Sequence, residues 1–420
     1  MTTTTNNESF NADELEAPKW LNDRFIEEVL SKNENAPELK VLDVQMSPAS
    51  EKGDHYASVM FRGNATYTTE KGKFSKSLII KTMPEAEGHK KEMLSESHLF
   101  ETEIGLYTKV LPKFEQILRD AGDNTRLYVP CIYTSLKPRQ VMVFEDLVPQ
   151  GYEVIRDRES NIEEIKSAFS KLAKWHAVSV HVLHEQPDYL QEFKYGMFDM
   201  PTIREDPFVT TGMSKFIAIL EDVPELRKYL PFFKNIENDY LDRCGIVLQE
   251  YRKNRQPNGY YVLCHGDFHL RNMMFKHNKV DGKLEDVMLI DFQISNICPI
   301  TIDLIYAIYL FMGVEDRQNN YKELINYYFS EFIATLQKIG FKGELPNSEE
   351  FWKQMSQHKY YEIFLLTTFL PLISAFMDKS IDVGDVMQKD EVRMNLYRLD
   401  NYIQDAKGVL SRFEKLGYFD

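Results

Sequence analysis

Three side chains stand at spacings suited to moving a phosphoryl group: Asp267, Asn272 and Asp291. The run His265-Gly266-Asp267-Phe268-His269-Leu270-Arg271-Asn272 puts Asp267 and Asn272 five residues apart. That is the spacing of a kinase catalytic loop, in which the aspartate orients an attacking hydroxyl and the asparagine holds a metal ion. Asp291 ends the apolar run Val287–Ile290 and is followed by Phe292, as a second metal-holding aspartate would be. The chemistry needs all three: a carboxylate for the nucleophile, and oxygen ligands to hold Mg2+ against a triphosphate. A short hairpin between Met274 and Val287 would return Asp291 to the side of Asn272. His265 and His269 would suit zinc only on a helix and with a third ligand. Gly266 and the flanking strand signals exclude that helix, so His265 is read as scaffold and His269 as having no necessary role.

The nucleotide end of the reaction calls for a lysine, and Lys81 closes the strand-like run Leu78-Ile79-Ile80-Lys81. Its partner should be a glutamate on the following helix. Phe100, Ile104, Tyr107 and Leu111 form one stripe there, and at 100° per residue Glu103 falls about 60° from Phe100 on the inner flank. Glu103 is therefore preferred to Glu101. The segment Ser50–Ser58 has the place of a phosphate-cradling turn but a single glycine, Gly53. Val141–Leu147 is an apolar strand leaving into a linker, where backbone groups of Glu145 and Leu147 would meet adenine.

These residues must be positioned by two kinds of structure. Residues 1–17 read as a disordered tail. Trp20-Leu21-Asn22 opens an amphipathic helix through Leu30, with Trp20, Ile26, Val29 and Leu30 on its buried side. Short β-rich runs follow at Val41–Met46, Ala57–Tyr67 and Phe74–Lys81. A helix over Ser97–Leu111, stopped by Pro112, leads to strands at Tyr128–Tyr133 and Gln140–Phe144. Beyond Leu147 the chain turns helical. Ser160-Asn161-Ile162-Glu163 has the form of a capping box, opening a helix with Ile162, Ile165, Phe169, Leu172 and His176 on one face. His176 reads as a satisfied core histidine. Asp303 reads as either an N-terminal cap of the helix Ile302–Met312 or a buried brace for the catalytic loop. The expectation is an α+β, two-lobed protein-kinase-like fold, with a β-rich nucleotide-binding lobe over 18–146 and a mainly helical lobe over 147–420.

Composition narrows the partners. A formal net charge of −15 lacks the basic footprint that nucleic acid attracts. The 4 cysteines are far apart and form no CxxC pair, which fits a reducing compartment. Met1–Phe10 carries no apolar signal core, and the apolar runs Ile302–Met312 and Ile363–Phe376 fall short of a membrane span of roughly 20 residues. The reading is a cytoplasmic protein with no membrane or nucleic-acid partner.

Several stretches together resemble the ecdysteroid kinase-like family. They are Trp20-Leu21-Asn22, Gly53-Asp54-His55-Tyr56-Ala57-Ser58-Val59, Glu103 with Tyr107 and Leu111-Pro112, and Phe144-Glu145-Asp146-Leu147. To these add His265-Gly266-Asp267, Asn272, Ile290-Asp291-Phe292-Gln293 and Asp303-Leu304. The family is similar to choline kinases and aminoglycoside phosphotransferases, and the likeness runs from about Trp20 to the C-terminus. It implies ATP- and Mg2+-dependent phosphorylation of a hydroxyl on a small molecule, an ecdysteroid or a foreign compound, and an arthropod-type source. Gln293, where protein kinases have glycine, disfavours a protein substrate and a mobile activation loop. Two competing readings are a kinase for a cationic acceptor of the choline or aminoglycoside kind, which net acidity suits, and a non-catalytic nucleotide-binding module. The second would call for loss of Lys81, Asp267, Asn272 or Asp291, and none is lost.

Overall fold

The computed structural model describes residues 16–49, 58–84, 91, 97–200, 203–378, 385–386 and 389–419. Most of the expected tail and the Gly53 turn lie outside the described residues. By their internal contacts two units separate: Met1–Tyr107 with Val129–Tyr152, and Thr108–Tyr128 with Glu153–Asp420.

The first unit is built on a five-stranded antiparallel sheet. Its strands are β1 (Lys40–Pro48), β2 (Val59–Thr69), β3 (Gly72–Thr82), β4 (Cys131–Ser135) and β5 (Val141–Glu145), in the order β1-β2-β3-β5-β4. Burial alternates along β2, so Val59, Phe61, Ala65 and Tyr67 face one core. Leu78 and Ile80 of β3 and Val141 and Val143 of β5 join them. The lid of this core is the helix Asp23–Glu34, which inserts Ile26, Val29 and Leu30. Asn22 caps it, its side chain accepting from Phe25 N at 3.2 Å. Trp20 is only half-buried, with its ring 5.2 Å from Phe25. The same period of two sends Lys81 to the opposite face from Ile80, away from this core.

The expectation that Pro112 stops a helix is corrected. The helix Leu99–Gly105 passes into a π-helical turn, Leu106–Val110, and then into a further helix, Leu111–Asp120. Pro112 lies in the first turn of that last segment, directly after the π-helical turn, and the helix runs on past it.

In the second unit the long helix Ile162–Glu185 lies against the helix Tyr321–Lys338. Its cap is shifted by one residue from the expected one. Asn161 is the N-cap and Glu164 completes the box, with Asn161 Oδ1 accepting from Glu164 N at 3.0 Å and Glu164 Oε2 accepting from Asn161 N at 2.8 Å. Ser160 is drawn away because its hydroxyl donates to the Phe311 carbonyl at 2.6 Å. Ile162 accordingly falls at the first helical position and is exposed, while Ile165, Phe169, Leu172 and His176 are buried. Two short β pairs carry the loops of interest. Tyr261–Cys264 pairs with Asn296–Pro299, and Met273–His277 pairs with Leu284–Leu289. The apolar runs become the helices Thr301–Leu310, Lys359–Thr367 and Phe369–Asp378, deep in the core. Among the described residues, no helix is long and apolar enough to cross a membrane.

Candidate active site

The loop after Tyr261–Cys264 turns sharply at Gly266, which has φ +86°; a Cβ there would lie 2.4 Å from the Ile294 carbonyl oxygen. Only glycine fits that turn, which carries the chain on to Asp267. Two backbone amides of the turn are held by Asp303, fully buried on the helix Thr301–Leu310. Its carboxylate accepts from His265 N at 2.6 Å and Gly266 N at 2.9 Å. Of the two readings of Asp303, the structure has the brace and not the cap.

Asp267 is gripped at both oxygens. Asn272 Nδ2 donates to Oδ2 at 2.8 Å and to the Asp267 carbonyl at 3.0 Å. The Tyr306 hydroxyl donates to Oδ1 at 2.5 Å. His269 Nε2 stands 3.5 Å from the same oxygen. Its Nδ1 caps the short helical turn Leu270–Asn272 by accepting from Arg271 N at 3.2 Å. His269, read as having no necessary role, ends the loop and faces the carboxylate. Burial works to raise the Asp267 pKa. The adjacent His269 and the Tyr306 hydroxyl outweigh it and hold the carboxyl well below the usual carboxylate range.

His265 ties the loop to the strand that leads to Asp291. Its Nε2 meets the Ile290 carbonyl at 3.1 Å, and its Nδ1 meets Asp267 N at 3.4 Å. A carbonyl accepts and an amide donates, so the proton sits on Nε2. Burial depresses the imidazole pKa and keeps the ring neutral. Ile290 N also donates to the Asn272 carbonyl at 3.1 Å, beyond the register Met273↔Leu289 and Met274↔Met288. The hairpin thereby brings the backbone at Asp291 back to Asn272. Asp291 itself has φ 66°, a left-handed conformation unusual for a residue other than glycine. The donor types fit a hard divalent cation: with its amide nitrogen committed to Asp267, Asn272 has its side-chain carbonyl oxygen to offer, and Asp291 supplies a carboxylate.

His176, Cys264 and Asp303 also lie within ligand reach of one another. They form a closed structural network. His176 Nδ1 meets the Tyr328 hydroxyl at 2.5 Å, and its Nε2 meets Asp303 at 3.0 Å. Burial pushes the Cys264 thiol pKa far up.

In the first unit, Lys81 Nζ donates to Glu103 Oε2 at 2.6 Å, both side chains buried. Glu101 is exposed and meets His98 at 2.7 Å. Glu145 ends β5, and its N–H donates to the Pro130 carbonyl at 3.0 Å. The residue opposite is a proline, which has no N–H to return to the Glu145 carbonyl. Asp146 fixes the linker: it accepts from Arg62 Nε at 2.8 Å, Ser77 Oγ at 2.7 Å and Val148 N at 3.0 Å. The Leu147 carbonyl is taken by the N–H groups of Gln150 and Tyr152.

Tyr306 is the participant that sequence reasoning missed, because it lies within a run read as core helix. The available signal was its place three residues after Asp303, on the same helix face.

The sequence model of the ecdysteroid kinase-like family matches residues 52–341. A kinase-like protein of Caenorhabditis elegans is 31% identical over 92 residues, which is 22% of this chain; the match spans 23% of that relative's length. Among solved structures, a choline kinase from Streptococcus pneumoniae is similar at 16% identity and TM-score 0.37, over 92% of this chain and 98% of that one. An amicoumacin kinase in complex with AMP-PNP and Ca2+ follows at 13% and 0.36, over 80% and 85%. An ADP-bound aminoglycoside phosphotransferase stands at 14% and 0.31, over 82% and 99%.

Proposed function

We propose that this chain, which belongs to the ecdysteroid kinase-like family and so to the small-molecule kinases, transfers the γ-phosphate of ATP to a hydroxyl of an apolar small molecule. The observation that carries the reading is the double grip on Asp267. Asn272 holds one oxygen and Tyr306 the other, so the carboxylate is ionised and fixed in direction. A carboxylate held so far into its ionised form is a weak base, suited to orienting an acceptor hydroxyl more than to stripping it of its proton. A loose phosphoryl transition state asks for that positioning. Asn272 and Asp291 are the residues that would hold Mg2+, which when bound neutralises triphosphate charge. Lys81, held by Glu103, would meet the nucleotide phosphates. The open Glu145 carbonyl opposite Pro130, with the Leu147 N–H, would receive adenine. In this reading residues 18–146 serve the nucleotide and 147–420 serve transfer, and the protein works in the cytoplasm.

The acceptor is proposed to be uncharged, an ecdysteroid or a foreign alcohol. Phe369 lies 6.3 Å from Tyr306, and the Arg271 guanidinium stacks 3.9 Å from the Phe376 ring. A guanidinium four residues from Asp267 suits an apolar acceptor better than a cationic one of the choline type. Labelled ATP offered with sterol, choline and aminoglycoside alcohols tests the class; phosphorylation of choline alone would overturn it. Asp267→Asn tests the site. ATP and Mg2+ should bind at near-normal affinity while turnover falls by at least about a hundredfold. Near-normal turnover would place Asp267 in the scaffold.

A further inference from the structure

Over residues 369–376 the helix Phe369–Asp378 has two sides. Leu370, Pro371, Leu372, Ser374 and Ala375 are buried. Phe369, Ile373 and Phe376 are half-buried. These three stand at i, i+4 and i+7, which is one face of a helix. The face that a helix leaves to solvent ordinarily carries polar residues. Here it carries two phenyl rings and a branched alkyl chain. Ser374, the polar residue of the stretch, turns inward instead, its hydroxyl donating to the Leu370 carbonyl at 3.0 Å. Apolar exposure gathered into one stripe marks an interaction surface, where scattered apolar residues do not.

Both ends of the stripe are tied to the transfer loop. The Phe369 ring lies 6.3 Å from that of Tyr306, whose hydroxyl donates to Asp267 Oδ1 at 2.5 Å. The Phe376 ring lies 3.9 Å from the guanidinium of Arg271, the residue before Asn272. Ile373 stands between the two rings, about one helical turn from each. The wall is also fixed. Phe208 and Phe364, both buried, meet Phe369 edge to face at 5.5 and 5.7 Å. Asn401 Nδ2 donates to the Ser374 carbonyl at 2.9 Å and pins the helix. A surface held in this way needs little ordering when a ligand meets it. At 1.5 Å per residue it is about 10 Å long from Phe369 to Phe376.

We propose that Phe369, Ile373 and Phe376 set acceptor specificity by length. An uncharged alcohol lies along them with its hydroxyl at Asp267, and affinity grows with each added apolar group until the acceptor outruns the stripe. The inference rests on the transfer reading given above and adds to it the residues that measure the acceptor.

Calorimetric titration of the full chain with straight-chain primary alcohols, 1-butanol to 1-decanol, tests it, with transfer of labelled phosphate from ATP to the same alcohols followed in parallel. Affinity should rise about threefold per added CH2 and level off at about eight carbons, the length of the stripe. Ile373→Asn puts a polar group of similar size at the centre of the wall. Octanol should then bind at least about tenfold more weakly, and the preference for octanol over butanol should shrink. Ile373→Leu should return the series to within about twofold of the parent. Phe376→Ala, which keeps the test open should Ile373→Asn fold poorly, should make affinity level off at about five carbons. Affinity that ignores chain length, or a series unaltered in both Ile373→Asn and Phe376→Ala, would overturn the proposal whether or not phosphate is transferred. Length-dependent binding that the variants weaken, with no transfer to any alcohol, would leave the wall standing and overturn the transfer reading.

Discussion

Tyr306→Phe removes one atom and leaves the ring in its buried place. The lost hydroxyl is the 2.5 Å donor to Asp267 Oδ1. A hydrogen bond to an ionised group contributes about 1.5–3 kcal/mol. The Asp267 side chain is 19% exposed, so water can replace part of that bond, and the lower end applies. Asn272 still holds the other oxygen at 2.8 Å, and Asp303 still holds the loop backbone. The expected outcome is a roughly tenfold fall in kcat, the rate equivalent of about 1.4 kcal/mol. The KM for ATP should stay put, since nothing in the phosphate-binding set is touched. The unfolding temperature should move by no more than about 2–4 °C. ADP release, followed with the acceptor selected by the screen, and a thermal melt supply all three readouts. A kcat within about twofold of the parent would refute the reasoning. So would a raised ATP KM, or a melt lowered far enough to make the variant a folding defect.

Asp291→Ala should abolish turnover, while Asn272→Ala should keep some and need more Mg2+, because only the aspartate is charged; a magnesium titration of the rate in each variant checks this. Lys81→Met should cut the rate strongly and also destabilise by about 3–5 kcal/mol, because Glu103 stays buried without the Lys81 charge beside it. Adding Glu103→Gln to it should recover much of that stability in urea melts, and Glu103→Gln alone should damage activity more than Glu101→Gln. Glu164 has its pKa opposed upward by burial but carried below the ordinary glutamate value by Arg158 and the Asn161 N–H. Its stabilising contribution is present above the unfolded-state pKa and is lost as pH falls through the lower folded one, so Glu164→Gln should flatten the acid limb of the stability–pH curve.

The parts of the site that depend on covalent spacing were legible in advance. The four residues of loop between Asp267 and Asn272 leave the asparagine amide able to reach back to the carboxylate, and the hairpin register then brings the backbone at Asp291 back to Asn272. Lys81 and Glu103 were legible because strand and helix periods each select a face. What failed did so where a tertiary partner competed with a local rule. Ser160 is as good a cap as Asn161 in isolation, but the Phe311 carbonyl takes its hydroxyl, and the helix starts one residue later. Pro112 would stop a regular α-helix by the local rule, yet here a π-turn resets the register just before it and the helix runs on.

The helix Thr301–Leu310 shows why one apolar run carried two readings. Nearly every side chain on it is buried, so the pattern says only that it is a core helix. Two of its polar side chains, Asp303 and Tyr306, share a face at i and i+3 and do related work. Asp303 absorbs the amides of His265 and Gly266, which fixes the loop backbone, and Tyr306 absorbs one oxygen of Asp267, which fixes the side chain. A buried carboxylate receiving two amides and a histidine is costly to form and rigid once formed. That rigidity is inherited by the loop, whose own glycine turn would otherwise allow it to swing. The consequence is an aspartate with little freedom in direction and little basicity. An enzyme that relied on proton abstraction would be poorly served by His269 and Tyr306, which together hold the pKa down. One that relies on aiming a hydroxyl along the line of transfer is well served by it.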